Sequence, residues 1–233
     1  MNIRPEEIIE KALSEQRSSL DTLESLRLLE SYDLPVVPYL PVNSLAEVET
    51  AAQRIEYPLV VKPISPSQIH KSDLGLVKLN VRTIEELTAA YNEIYEKIRT
   101  LSIPSKGLIV QKMAPPGLEI VIGGINDDQF GPALMLGLGG IMIEIFKDVV
   151  FRIAPISEEE CHSMIKQLKA YPLIEGYRGR GPYDEKILAQ TLEKTSYLLM
   201  ENPQIKELDL NPIILYQKDC LITDARIILE NKS

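Results

Sequence analysis

From residue 114 the chain runs through LEIVIGGI, ALMLGLGGIMIEI and VVFRIAPI, separated by glycine-rich turns that leave no room for a crossover helix. These runs read as strands joined by glycine-rich turns rather than as βαβ units, and this half as an α+β domain. The first half is built differently. Strand-like LPVVPYLP at 34–41, YPLVVKP, GLVKLNV at 75–81 and GLIVQKM at 107–113 alternate with helical segments. Ser44 with Glu47 and Thr83 with Glu86 carry the spacing of a capping box, which places two helix starts. Before them, a charged helix over the first twenty residues reads as an extension, and Asp21 with Glu24 caps a leucine-rich helix. Later, Ser157 with Glu160 opens another helix, and one from about Asp184 to Met200 lines up Leu188, Leu192, Thr195 and Leu199 on a single stripe. Two strands near 205–215 and 220–229 close the sequence. The expected division is an N-terminal extension over 1–20, a first lobe over 21–110 and a second over 111–233.

A length of 233 residues with 45% hydrophobic content allows one large core or two small ones. The net charge of −9 and a pI near 4.9 make the long-range field repulsive to phosphate backbones, which argues against a nucleic-acid partner. Cys161 and Cys220 stand far apart and lack zinc-site spacing, so they read as reduced, inert thiols. No run approaches the roughly 20 apolar residues of a membrane span, and MNIRPEEIIEKALSEQ has no apolar leader core. The expectation is a soluble cytoplasmic protein.

Four stretches could carry chemistry. In KELDLNPIILYQKDCLITDARIIL, strand alternation sets Glu207, Asp209 and Asn211 on one face and Leu208 and Leu210 on the other. A two-residue turn at Gln217 and Lys218 would bring Asn211 opposite Asp224, a pair of hard oxygen donors suited to Mg²⁺ on a nucleotide. The same alternation also fits an ordinary solvated hairpin face. In LVVKPISPSQIHKSDLG, Lys62 ends an apolar strand and can reach a phosphate, although a strand-end lysine more often extends to water. His70 follows, in a loop of hydroxyls and charges. A mostly neutral imidazole there could accept a phosphoryl group, or could simply be a surface histidine. In VQKMAPPGLEI, the strand end at Gln111, Lys112 and Met113 offers backbone groups to an adenine edge, and Glu119 offers a carboxylate to a ribose; a plain linker is the alternative. In FGPALMLGLGGIMIEIFKDVVFR, Gly137, Gly139 and Gly140 permit close backbone approach, with Glu144, Asp148 and Arg152 beyond them. That segment is not GxGxxG and has no assigned role. His162, beside Cys161 in a predicted helix, is taken as structural.

In order along the chain, VVKPxSPxxxHKSDxG, VQKMxxxGxEIxxG, FGPxxMxGLGGIxxEIxKDVxFRxAP and ELDxNP together resemble the β subunit of ADP-forming acetyl-CoA synthetases over roughly residues 20–230. The resemblance implies an ATP-grasp fold of two α+β lobes with nucleotide in the cleft between them. It also implies reversible conversion of acyl-CoA, ADP and phosphate into free acid, CoA and ATP. By the same resemblance Lys62 binds nucleotide phosphates, Gln111 to Met113 the adenine, Glu119 the ribose, and Asn211 with Asp224 the Mg²⁺. His70 would relay phosphate from a second histidine on an α subunit, and Asp209 would orient one of the two imidazoles. The more distant succinyl-CoA synthetase β subunit carries a glycine-arginine-glycine loop where this chain has SPSQIHKSDLG, which favours the acetyl type. Nothing here resembles a CoA-binding domain, so acyl-CoA and phosphate would be handled by the partner, in an α2β2 assembly. Two other readings are a non-catalytic subunit that senses nucleotide, which intact Lys62, Asn211 and Asp224 argue against, and a self-contained ATP-grasp ligase using an acyl phosphate, which would not require His70.

Overall fold

The computed structural model describes residues 4–66, 71, 73–140, 147–179 and 181–230, and they fall into two compact units. The smaller comprises Asp21–Glu24 and Val37–Pro115; the larger comprises Met1–Leu20, Ser25–Val36 and Pro116–Ser233.

In the smaller unit, β1 (Tyr39–Val42), β2 (Leu59–Pro63), β3 (Lys78–Val81) and β4 (Leu108–Lys112) form an antiparallel sheet in the order β1-β4-β2-β3. Helices α3 (Leu45–Arg54) and α4 (Ile84–Thr100) cover one face, because Val48, Ala51, Leu87, Ala90, Tyr91 and Ile94 recur at helical spacing and pack on Leu59, Val61, Leu108 and Val110. Both helices start where the sequence places them: the Ser44 and Thr83 hydroxyls accept from the N–H groups of Glu47 and Glu86. The 34–41 stretch is extended only from Tyr39 onward as a strand. Pro38, with no N–H to give, meets β4 through its carbonyl alone, which accepts the Lys112 N–H at 2.9 Å, and paired strand runs from Tyr39 to Val42.

The larger unit is organised on a sheet ordered β10-β8-β5-β6-β7, with β9 paired to β8 and every neighbour antiparallel. Its strands are β5 (Leu118–Asp127), β6 (Gly131–Leu138), β7 (Val149–Ile153), β8 (Ile205–Leu215), β9 (Cys220–Ile222) and β10 (Ala225–Leu229). One face carries Ile120, Ile122, Leu134, Leu136, Leu208, Leu210 and Ile227, packed in one core with residues of α5 (Glu158–Lys166) and α7 (Glu185–Glu201). The expected α7 stripe is there, with Leu188, Leu192, Thr195 and Leu199 all fully buried. Each such leucine contributes about 1.5–3 kcal/mol by leaving water. Helix α1 (Pro5–Ser14) joins the same core through Ile8, Ile9 and Ala12, and α2 (Thr22–Ser31) through Leu28 and Leu29.

A polar tie holds α5, α6 (Tyr171–Glu175) and α7 together. His162 Nδ1 lies 2.6 Å from Glu185 Oε1, and the Tyr171 hydroxyl donates to Glu185 Oε2 at 2.8 Å. Because a carboxylate can only accept, the imidazole carries its proton on Nδ1. Burial opposes ionisation of Glu185, but the hydrogen bonds from His162 and Tyr171 outweigh it and hold the carboxyl below its ordinary value. Burial and this carboxylate push the Tyr171 phenol up to about 12. His162 thus has a structural partner.

Candidate functional site

The smaller unit presents Lys62 and Gln111. Strand β2 is buried along its whole length and paired on both sides, so alternation gives it two dry faces. Leu59 and Val61 face α3 and α4, while Val60 and Lys62 point the other way, and Val60 pairs with Gln111 on β4. Lys62 is only 4% exposed and Gln111 3%. A lysine held this deep does not extend to bulk water. In this surrounding its charge is weakly screened, the condition under which an ammonium binds phosphate most strongly.

Beyond β2 the chain continues into the segment that contains His70. His70, with Ser67, Gln68, Ile69 and Ser72, lies outside the described residues, as does Glu144. The segment's flanks are defined by Thr22, which no sequence pattern singled out. Its N–H donates to Ser65 O at 3.1 Å, and its hydroxyl is shared between Pro63 O (3.3 Å) and Ser65 O (3.2 Å). The same hydroxyl accepts from Lys71 Nζ at 3.0 Å, so both sides of the segment meet at one buried threonine. Asp21 and Glu24 form the expected reciprocal cap, Glu24 N–H to Asp21 Oδ1 and Asp21 N–H to Glu24 Oε2, both 2.9 Å. Lys106 Nζ then bonds Asp21 Oδ2 at 2.9 Å and Glu24 Oε1 at 3.3 Å, which explains why this four-residue segment groups with the smaller unit. The Ser65 hydroxyl is buried without a partner among the described residues, a donor and acceptor that a ligand oxygen could satisfy.

At the end of β4 the donors are largely committed. Lys112 N–H donates to Pro38 O and Met113 N–H to Pro58 O, each at 2.9 Å. The Lys112 ammonium bonds Glu56 Oε2 at 2.9 Å, and that contact lowers the Glu56 carboxyl below its usual range. Ala114 N–H is the next donor along the chain, and it has no partner among the described residues.

The larger unit contributes the other polar residues on the sheet face turned away from its core. Tyr216 N–H donates to Asp219 O at 2.9 Å and closes the two-residue turn at Gln217 and Lys218. Cys220 therefore pairs with Leu215, Ile222 with Ile213 and Ala225 with Leu210, a register that sets Asn211 across from Asp224. On the other side β8 shifts register against β5, Ile213 pairing with Ile120 but Leu210 with Ile122, so Asn211 and Pro212 together oppose Val121. A bulge of this kind re-aims the residues it contains.

Asp209 lies between Gly123 and Arg226 in the sheet, in a hollow of ≈260 Å³ whose walls include Met135, Phe151 and Glu207. Burial raises the Asp209 carboxyl above its ordinary value; Arg226 pulls it back and Asp224 pushes it further up. The constant register makes the Asp209–Arg226 pairing readable from the two-residue turn, although Arg226 was not singled out. Among the described residues no three His, Cys, Asp or Glu side chains gather into a metal cage. One amide and one carboxylate oxygen fit a Mg²⁺ that takes its remaining ligands from phosphates and water, and would not suit an ion needing an all-protein shell.

Glu119 stands on the same face as Val121 and Gly123, one residue into β5, and is exposed. Gly139, directly after β6, donates its N–H to Glu119 O at 2.7 Å. Asp148 has a different part: it is buried, and its two oxygens accept from the N–H groups of Lys169 (3.0 Å) and Ala170 (2.8 Å), which fastens the start of β7 to the α5–α6 link.

The structure thus brings Lys62 near Gln111 in one unit, and Asp209, Asn211 and Asp224 together in the other. The ATP-grasp domain family matches residues 11–229. The β subunit of acetate–CoA ligase [ADP-forming] I of Pyrococcus furiosus is 42% identical over 225 residues, 96% of this chain and 97% of that one. Acetate–CoA ligase [ADP-forming] I of Archaeoglobus fulgidus is 40% identical over 97% of this chain, which corresponds to 33% of that longer protein. Acetyl-coenzyme A synthetase 1 of Ca. Korarchaeum cryptofilum, solved with coenzyme A and Mg-AMPPCP and with its phosphohistidine segment pointing towards the nucleotide binding site, superimposes with a TM-score of 0.85 at 42% identity, covering 97% of this chain and 100% of that one. With these whole-length matches and an ATP-grasp fold of antiparallel sheets, the chain belongs to the ATP-grasp family and, within it, to the β subunits of ADP-forming acetate–CoA ligases.

Proposed function

We propose that this chain binds ADP and ATP with Mg²⁺ and relays a phosphoryl group through His70 in the reversible reaction of acyl-CoA, ADP and phosphate to free acid, CoA and ATP. It works with an α subunit that carries the CoA-binding domain and a second phosphohistidine, in an α2β2 complex in the cytoplasm. The observation that carries this reading is the match to the Pyrococcus β subunit over nearly the full length of both chains. The Archaeoglobus relative, three times as long, supports a need for further domains beyond the part that aligns here.

In the direction of ATP formation, an imidazole nitrogen of His70 attacks the phosphorus of the partner's phosphohistidine. A new P–N bond forms as the partner's P–N bond breaks. A terminal phosphate oxygen of ADP then attacks the same phosphorus, a P–O bond forms, and His70 is released. Lys62 neutralises phosphate charge from a dry position. Asp209 orients one of the imidazoles and offsets its positive charge. With the N–H groups of Lys112 and Met113 already bonded, Ala114 N–H and the neighbouring carbonyls are the groups left for an adenine edge. Glu119 accepts from the ribose. Asn211 and Asp224 would hold the Mg²⁺, whose charge offsets that of the phosphates.

The test is reconstitution. The chain mixed with its CoA-binding partner, acetyl-CoA, ADP, Mg²⁺ and phosphate is expected to form ATP; a correctly folded complex that forms none would sink the reading.

A further inference from the structure

The glycine-rich turn after β6 has no part in the scheme above, yet its geometry is tied to Glu119. Gly139 N–H anchors the Glu119 carbonyl at 2.7 Å. A Cβ placed on Gly139 would come to 2.9 Å from Glu119 Cβ and 3.2 Å from its carbonyl carbon, so no side chain fits there without moving the start of β5. A Cβ on Gly140 would come to 2.8 Å from Glu119 Oε2, the position the carboxylate itself occupies. Gly140 has φ +61°, a conformation that glycine adopts without penalty. Among the described residues no hydrogen bond or ion pair engages that carboxylate, and it lies in room that the missing Gly140 side chain leaves.

We infer that Gly139 and Gly140 are positioning residues for Glu119, and that this pair of glycines sets selectivity for a nucleotide sugar bearing vicinal hydroxyls. The inference rests on the nucleotide-binding reading above and adds to it the device that makes the sugar contact. An ionised carboxylate only accepts, through two oxygens, and a ribose offers two O–H donors side by side. Gly139 fixes the strand end from which Glu119 projects. Gly140 leaves empty the space into which its carboxylate swings.

The two positions respond differently to substitution. At Gly139 the clash is with Cβ and backbone, so an alanine shifts the strand. At Gly140 the clash is with the free end of a flexible side chain, so Gly140→Ala displaces the carboxylate and leaves the sheet in place. Gly140→Asn fills the same space with a residue that tolerates positive φ, and separates displacement from backbone strain.

Calorimetric titration of the full chain with Mg²⁺ and either ADP or 2′,3′-dideoxy-ADP tests this. Wild type is expected to prefer ADP by about 10- to 100-fold, the span of hydrogen bonds to a charged group. Gly140→Ala and Gly140→Asn should each bring that ratio close to one by weakening ADP alone, as should Glu119→Ala, and Gly140→Ala should have no further effect in the Glu119→Ala background. Retention of the wild-type ratio in both Gly140 variants, equal weakening of the two nucleotides, or a fresh loss in the double variant overturns the inference. Wild type that binds both nucleotides equally well overturns it too, while leaving nucleotide binding intact. Wild type that binds neither removes the functional reading, and the inference with it.

Discussion

The two rows of polar side chains in this protein sit on opposite kinds of strand. Lys62 and Gln111 belong to strands buried on both faces, whereas Asp209, Asn211 and Asp224 lie on the side of a sheet turned away from the core that its other side forms. Burial strengthens the pull of an ammonium on an anion. On the second row Asn211 is exposed and Asp209 and Asp224 are half-buried, so these oxygens keep contact with solvent that Lys62 and Gln111 lack. The difference teaches that a cation for phosphate and oxygen donors for a hydrated metal call for different solvent exposure, and the chain separates them accordingly.

The sharpest challenge comes from the residue that follows the buried row. His70→Ala is expected to lower kcat of the reconstituted enzyme by at least about a thousandfold with ADP affinity unchanged. Label from γ-labelled ATP that is stable to base and labile to acid should vanish with it. Near-normal turnover would show that the relay does not run through this segment, and the buried row would then serve binding alone.

Within the buried row, Lys62→Met should weaken ADP binding by about 10- to 100-fold, the span of a charge-assisted hydrogen bond. A variant with lower stability and intact affinity would mean that Lys62 is a structural cation, and the contrast between the rows would collapse.

On the second row the same comparison predicts a milder outcome. The Asp209 carboxyl is raised by burial and by Asp224, so the folded chain binds its proton more tightly than the unfolded chain. This group therefore imposes a stability penalty that grows as pH rises from the unfolded value through the folded one. Asp209→Asn removes it, with an expected rise in melting temperature of about 2 °C at pH 7 that disappears in acid, together with reduced turnover. A drop in melting temperature at neutral pH would place Asp209 in the stabilising framework instead.

The smallest effect belongs away from both rows. Glu185 has a depressed carboxyl, so its contribution is present above the unfolded value and is lost as pH falls through the folded one. Glu185→Gln should lower the melting temperature slightly at pH 7, by about 1–3 °C, and flatten its decline in acid without changing ADP affinity. Altered affinity would tie the helical layer to the site.

Much of this arrangement was legible because it is local. Reciprocal caps at Asp21 and Glu24 and at Ser157 and Glu160 depend on residues three apart. The register that sets Asn211 across from Asp224 depends on one two-residue turn and constant alternation. The start of β1 at Tyr39 is not legible in the apolar run itself, because it depends on where β4 begins to pair with it.

What the sequence by itself determined is the set of elements, the polar alternation of β8 and the family, since each follows from backbone periodicity, capping or a motif read in order. Only the tertiary structure decided that Lys62 is buried, that Thr22 gathers both flanks of the histidine segment, that Asp148 serves two backbone donors, and that Gly140 makes room for a carboxylate twenty-one positions earlier. Those facts join residues far apart in the chain. Exposure, charge screening and steric room are properties of the packed surroundings, and no spacing along the chain encodes them.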